Sequence, residues 1–219
     1  MSKFACKIPQ DHTKPRIINR VAIFGFADAP LESDLYKDAH EVAKELAECG
    51  YTIVNGGGPG VMRASTEGAR KGGGKVIGVT FDPKEMTTFE GRDSDNRVDK
   101  EITASNYLER TLKLLQLGQV YVVFNGGTGT ISEFGMAWGL ARLYFGHHKP
   151  LILYGHFWNE VIETFKKYMY LRPADLEVFK IANSAHEVLM EITAFGEEIA
   201  AGKHAHLAIG NNGESAFTL

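Results

Sequence analysis

Two glycine-rich turns and one carboxylate carry the strongest chemical pattern in this chain. "NGGTGTISEF" follows the apolar run VYVVF (120–124). Asn125, Gly126, Gly127, Thr128, Gly129 and Thr130 thus separate a strand-like segment from a helix-like one, and Glu133 stands three residues further on. "NGGGPGVM" (55–62) repeats the arrangement after YTIVN (51–55), with Gly56, Gly57, Gly58 and Gly60 in the turn and Met62 just beyond it. Glycine permits positive φ and lets backbone approach a ligand closely. A helix that starts at such a turn offers unsatisfied N–H groups and the positive end of its dipole, a combination that binds phosphate without a lysine. Each such bond to a charged oxygen is worth roughly 1.5–3 kcal/mol.

A single glycine turn is commonly just a tight connection, but two of them on one edge of a sheet point to an anion site. Neither is a standard fingerprint. Val61 stands where a GxGxxG pattern needs its third glycine, and no Walker A lysine follows either turn. This argues against an ATPase and favours a nucleoside monophosphate or a sugar phosphate.

Glu133 has two readings. Thr130-x-x-Glu133 spells a capping box, in which the acid would reach back to the N–H of Thr130. Between Gly129 and Gly146, however, the only formal charges are Glu133 and Arg142, among Ile131, Phe134, Met136, Trp138, Leu140, Leu143 and Phe145. A helix so apolar needs cover on most sides, from its own domain or from a second subunit. An acid near its start would be partly buried beside a phosphate turn, a setting that tunes a carboxylate for catalysis.

The elements that position these turns are short β-rich runs alternating with helical patterns. Strands are expected at 21–25, 51–55, 75–81 and 120–124, in KPLILYG, and more weakly in LEVFKIA. Residues 82 to about 102 are polar and irregular, and read as a long loop. Continuous apolar strands alternating with helices imply a doubly wound, Rossmann-like α/β fold: one parallel sheet with helices on both faces. Ligands in such sheets sit beyond the carboxyl ends of the strands, where the strand order reverses. The expected layout is a polar leader at 1–19, a single nucleotide-binding domain at 20–200 and a tail at 201–219.

The bulk numbers narrow the function class. The chain has 219 residues, 24 of them glycine, and a formal net charge of −3, so no overall basicity favours nucleic acid. The two cysteines, Cys6 and Cys49, show no metal spacing and read as free thiols in a reducing compartment. No signal-peptide core is visible at the start, and no apolar run approaches the ~20 residues of a membrane span. The expected location is cytoplasmic. His147, His148, His204 and His206 show no convergence that would hold a metal. Arg92, Arg97 and Lys100 read as solvated loop charges, the alternative being closure over an anionic ligand. No lysine has the context of a pyridoxal-phosphate Schiff base, and no cofactor is signalled.

The motifs resemble one family. NGGTGTISE is similar to the PGGxGTxxE signature of the Lonely Guy phosphoribohydrolases, VNGGGPGVMRAS to their first glycine loop and VAIFGFA to their opening strand, over roughly residues 20–170. Arg110, in YLERTLKLL, has the spacing of the family's active-site arginine. The resemblance implies hydrolysis of the N-glycosidic bond of a nucleoside 5′-monophosphate of the AMP or cytokinin-nucleotide type. On that expectation Glu133 and Arg110 are catalytic, and Gly56, Gly57, Gly58, Gly60, Met62, Gly126, Gly127, Thr128, Gly129 and Thr130 bind the nucleotide. A homodimer through the helix after the second turn is implied as well. Four features depart from the family pattern: Asn125 for proline, Thr111 for lysine, Arg63 for glycine or glutamate, and GFADAP for a serine-containing turn. Arg63 and GFADAP fall where the ligand pocket is expected. The alternative is a nucleotide or molybdenum-cofactor carrier that uses the same loops without hydrolysis.

Overall fold

The computed structural model describes residues 6, 16–82, 92–143 and 150–201. Among them a seven-stranded, all-parallel sheet has the order β4-β3-β2-β1-β5-β6-β7. The strands are β1 (Arg20–Phe24), β2 (Thr52–Asn55), β3 (Val76–Phe81), β4 (Lys100–Ala104), β5 (Val120–Val123), β6 (Leu151–Tyr154) and β7 (Phe179–Ala182). The helices are α1 (Asp34–Glu48), α2 (Val61–Lys71), α3 (Tyr107–Leu117), α4 (Thr128–Leu143), α5 (Phe157–Tyr168) and α6 (Ala185–Ala200).

β1 sits at the centre and pairs with β2 on one side and β5 on the other, Ala22 lying opposite both Val54 and Tyr121. The chain builds outward from β1 to β4 and then returns to β5 beside β1. That return is the topological switch point, and it leaves a crevice beyond the carboxyl ends of β1 and β5. Both glycine turns open there.

Alternate strand residues face opposite layers. Val21 and Ile23 join Ile53, Val122 and Ile152 in a core closed by α1, α2 and α6. Ala22 and Phe24 join Val54, Tyr121, Val123 and Leu153 in a second core, with Leu114 and Leu115 of α3, Phe134 and Ala137 of α4 and Trp158 of α5. Every residue of β5 and β6 is buried, which is why these strands read as unbroken apolar runs.

Two expectations are corrected. The loop assigned to 82–102 ends in a strand, β4, which pairs with β3 from Lys100 opposite Ile77 to Ala104 opposite Phe81. As an edge strand it keeps Lys100, Glu101 and Thr103 exposed, so it lacks the apolar run of the central strands and carries the charges that discourage edge-to-edge pairing. The cysteines are paired rather than free. Cys6 is disulfide-bonded to Cys49, the C-cap of α1, across 43 residues of chain. Nothing in their spacing shows this, because folding alone brings the leader against the end of α1. Arg16 braces the same region, its Nη1 donating to the Cys49 carbonyl at 2.7 Å while the guanidinium lies 4.4 Å above the Tyr51 ring. Otherwise most of the leader and the tail, with His147, His148, His204 and His206, lies outside the described residues.

Candidate active site

The crevice at the switch point is walled by Gly25, Phe26 and Ala27 after β1, Gly56 and Met62 from the first glycine turn, Tyr107 and Arg110 from α3, and Gly127, Thr128, Gly129, Thr130 and Glu133 from the second. The segment after β1 joins the two turns. Phe26 donates its N–H to the Asn125 carbonyl at 3.0 Å, and its own carbonyl accepts from the Val61 N–H at 3.0 Å.

That second bond consumes the first amide of α2, so the first glycine turn is built mainly for architecture. Gly60 has φ +58°, and a Cβ there would lie 2.3 Å from the Ala27 carbonyl oxygen. Gly57, with φ +70°, donates its N–H to Asn55 Oδ1 at 2.9 Å. Asn55 is fully buried, and its Nδ2 reaches Met62 O, Ser65 Oγ and Thr66 Oγ1 within 3.1 Å. From outside, Asn96 Nδ2 donates to Gly58 O at 2.7 Å and Asp93 N–H to Gly57 O at 3.1 Å. Gly57, Gly58 and Gly60 therefore do not line the cavity.

The second turn is arranged differently. α4 begins at Thr128, so Thr130 lies inside its first turn and Glu133 in the second. The capping-box reading of Thr130 and Glu133 is thereby replaced. Ile131 N–H takes Gly127 O at 3.0 Å, while the amides of Thr128, Gly129 and Thr130 make no hydrogen bond among the described residues. These are the N–H groups that a helix start leaves for a ligand. A Cβ on Gly127 would meet nothing within 4 Å, and one on Gly129 only the Tyr107 hydroxyl, at 3.7 Å. Neither glycine has positive φ. The fold does not require glycine at either position, and both line the cavity. Gly126 is the opposite case: it stays out of the cavity, and its Cβ would collide with Thr130 Oγ1.

Glu133 and Arg110 form an ion pair inside this cleft. Arg110 Nη1 lies 3.4 Å from Glu133 Oε1, with the two residues 8% and 7% exposed. Arg110 is fixed by donating Nε to Val79 O at 3.1 Å and Nη2 to Gly56 O at 3.4 Å. Burial pushes the Glu133 carboxyl up to about 7, and the positive charge of Arg110 opposes that rise. The second carboxylate oxygen has no hydrogen bond among the described residues. Burial and a specific charge partner acting together on a carboxyl in a cleft mark Glu133 as a candidate functional residue.

Arg63, expected at the pocket, turns away from it. It pairs with Glu67 at 2.9 Å and Asp95 at 3.2 Å on the outer side of α2. Arg92 binds Glu101 at 3.1 Å and the Asn96 carbonyl at 2.7 Å; like Arg97 and Lys100, it is absent from the cavity wall. Of the segment GFADAP, expected at the pocket, Gly25, Phe26 and Ala27 do line it, whereas Tyr107, also in the wall, went unnoticed in the sequence. The available signal for Tyr107 was its place three residues before Arg110, on the same helix face.

A Rossmann-like parallel sheet, with a buried acid–arginine pair in the crevice at its switch point, defines the class as α/β. Residues 19–170 match the SLOG cluster4 family. The chain belongs to this family, of the Lonely Guy type. It is 30% identical over 174 residues to a cytokinin riboside 5′-monophosphate phosphoribohydrolase of Mycobacterium tuberculosis, covering 74% of this chain and 88% of that protein. It is 31% identical over 136 residues to a protein of the same name from Mycobacterium marinum, covering 60% and 70%. Among solved structures, the molybdenum cofactor carrier protein of Chlamydomonas reinhardtii shares the fold, with a TM-score of 0.60, 23% identity and coverage of 84% of this chain and 99% of that one.

Proposed function

We propose that this protein is a phosphoribohydrolase that cleaves the N-glycosidic bond of a nucleoside 5′-monophosphate, releasing free base and ribose 5-phosphate. The observation that carries the reading is the buried Glu133–Arg110 pair, one helical turn from three uncommitted amides at the start of α4. The phosphate docks on the amides of Thr128, Gly129 and Thr130, and Gly127 and Gly129 leave the room for it. The ribose then comes to Glu133. As the C1′–N bond breaks, positive charge grows at C1′ and the ring oxygen, and the ionised carboxylate stabilises it. Water adds its oxygen to C1′, and the base leaves with the bonding electron pair and gains a proton. Arg110 holds Glu133 in place and favours its ionised form against the cost of burial.

A homodimer is part of this reading. α4 buries Phe134, Ala137 and Ala141 against the sheet but leaves Ile131 58% exposed, and Gly135 and Gly139 face open space. A second copy is the natural cover for that face. The reading also implies a cytoplasmic setting, where nucleoside monophosphates are made, and there the Cys6–Cys49 bond would be exposed to thiol reductants.

The test is chromatography of AMP, CMP and isopentenyl-AMP after incubation with wild-type protein and Glu133→Gln. Free base from the wild type alone is the expected result. No base from any of the three would overturn hydrolysis and favour the carrier reading, which the likeness in fold to the molybdenum cofactor carrier keeps in view.

A further inference from the structure

Tyr107 has no part in the steps above, yet it stands in the cavity wall. It is the first residue of α3, and the helix start around it is firmly made. Asn106 Oδ1 accepts from the Glu109 N–H at 2.9 Å, and the Glu109 carboxylate accepts from the Ser105 N–H at 2.6 Å. The Tyr107 ring meets Phe81 edge-on, with centroids 6.1 Å apart. At three residues' spacing it shares a helix face with Arg110. Both side chains therefore enter the crevice from the α3 side, facing the start of α4.

The phenol hydroxyl ends 3.7 Å from the point a Cβ on Gly129 would occupy, in the first turn of α4. It has no hydrogen-bond partner among the described residues, and the ring that carries it is half-buried in the cavity wall. Three uncommitted amides and an uncommitted O–H thus converge on one small volume from opposite walls. All four are donors. The group that satisfies them together carries several acceptor oxygens, as a phosphomonoester does.

We infer that Tyr107 is a phosphate-binding residue: its hydroxyl donates to the 5′-phosphate held at the start of α4, and so selects phosphorylated over unphosphorylated substrates. This deepens the phosphoribohydrolase reading and rests on it for the substrate, but the phosphate subsite can be tested without turnover. Tyr107→Phe removes only the oxygen. Because that oxygen has no partner among the described residues, the thermal unfolding midpoint is expected to stay unchanged.

The experiment is calorimetric titration of ribose 5-phosphate into wild type and Tyr107→Phe, with AMP kinetics alongside. Loss of a hydrogen bond to a charged acceptor weakens ribose 5-phosphate binding roughly tenfold and raises KM for AMP by a similar factor, with kcat changed by less than about threefold. Equal binding of ribose 5-phosphate by the two proteins overturns the assignment of Tyr107 while leaving hydrolysis intact. Tyrosine-dependent binding with no base released from AMP, CMP or isopentenyl-AMP overturns hydrolysis and upholds the subsite. No binding of ribose 5-phosphate to the wild type overturns the subsite outright.

Discussion

Arg110 occupies the space that a side chain on Gly56 would fill: its Nη2 atom lies 1.7 Å from the position of a Cβ there. The glycine is therefore a condition for the arginine, and through it for the state of Glu133. Gly56→Ala is expected to expel the guanidinium from its site and lower kcat/KM for AMP by about a hundredfold, the scale of losing one fixed electrostatic contact in a closed site. Gly127→Ala is the contrast. Its Cβ meets no protein atom, so the unfolding midpoint holds or rises slightly while nucleotide binding weakens. Circular dichroism melts and AMP kinetics on both variants check this. A Gly56→Ala enzyme with wild-type kinetics would contradict the stated geometry.

Glu133 sets a pH dependence. With its carboxyl near 7, kcat/KM at saturating phosphate charge should climb through pH 7, since the ionised form is the one that stabilises positive charge. The phosphomonoester itself titrates near pH 6, so the limb belongs to the protein only if its midpoint lies above that. A profile flat from pH 6.5 to 8 would remove Glu133 from the role given to it.

The same carboxyl also affects stability. Its folded-state value is raised above the 4.5 of the free group, so between about 4.5 and 7 the native state holds a proton that the unfolded state has released. Stability is fully present below that window and falls as pH rises through it, by about 3 kcal/mol for this group alone. Glu133→Gln does not titrate, so the difference in unfolding free energy between variant and wild type should shift in the variant's favour from pH 5 to pH 7.5. Parallel curves for the two proteins would mean that the carboxyl titrates normally.

Arg63 is a test of what the cavity excludes. It pairs with Glu67, one turn on in α2, and with Asp95 outside the site, in partly exposed pairs worth at most about 1 kcal/mol. Arg63→Ala is expected to change KM for AMP by less than about threefold. A tenfold rise would show that the residue reaches substrate after all.

The Cys6–Cys49 bond closes a loop of 43 residues, a length that in the chain-entropy account contributes about 4 kcal/mol. Cys49→Ser, or reduction by dithiothreitol, should lower the unfolding midpoint by several degrees without altering kcat, because the bond joins the leader to the end of α1, away from the glycine turns. Identical melts in oxidised and reduced protein would show that the pair stabilises nothing.

The central part of the fold was legible because burial on both faces makes β1, β2, β3, β5 and β6 read as unbroken apolar runs between helical patterns. β4 was not, since an exposed edge strand has no such constraint and Lys100, Glu101 and Thr103 look like loop. The glycine turns and Glu133 were visible as local patterns, for strand, turn and helix start are adjacent in the chain. Their division of labour was not visible. Gly57 and Gly60 are fixed by positive φ and by contacts with Thr80 and Ala27, whereas Gly127 and Gly129 stand beside open volume, and both kinds are written with the same letter.

Local order along the chain thus settled the alternation of strands and helices and the place of a glycine turn after β5. Tertiary packing decided everything that depends on distant segments meeting: Arg110 against Gly56 and Glu133, Phe26 across the two turns, Arg63 facing outward and Cys6 bonded to Cys49. The physical reason is that a residue's type and spacing limit what its side chain can do, but the burial that raised Glu133 and the charge that opposes it come from elements that adjoin only when the sheet closes around its switch point.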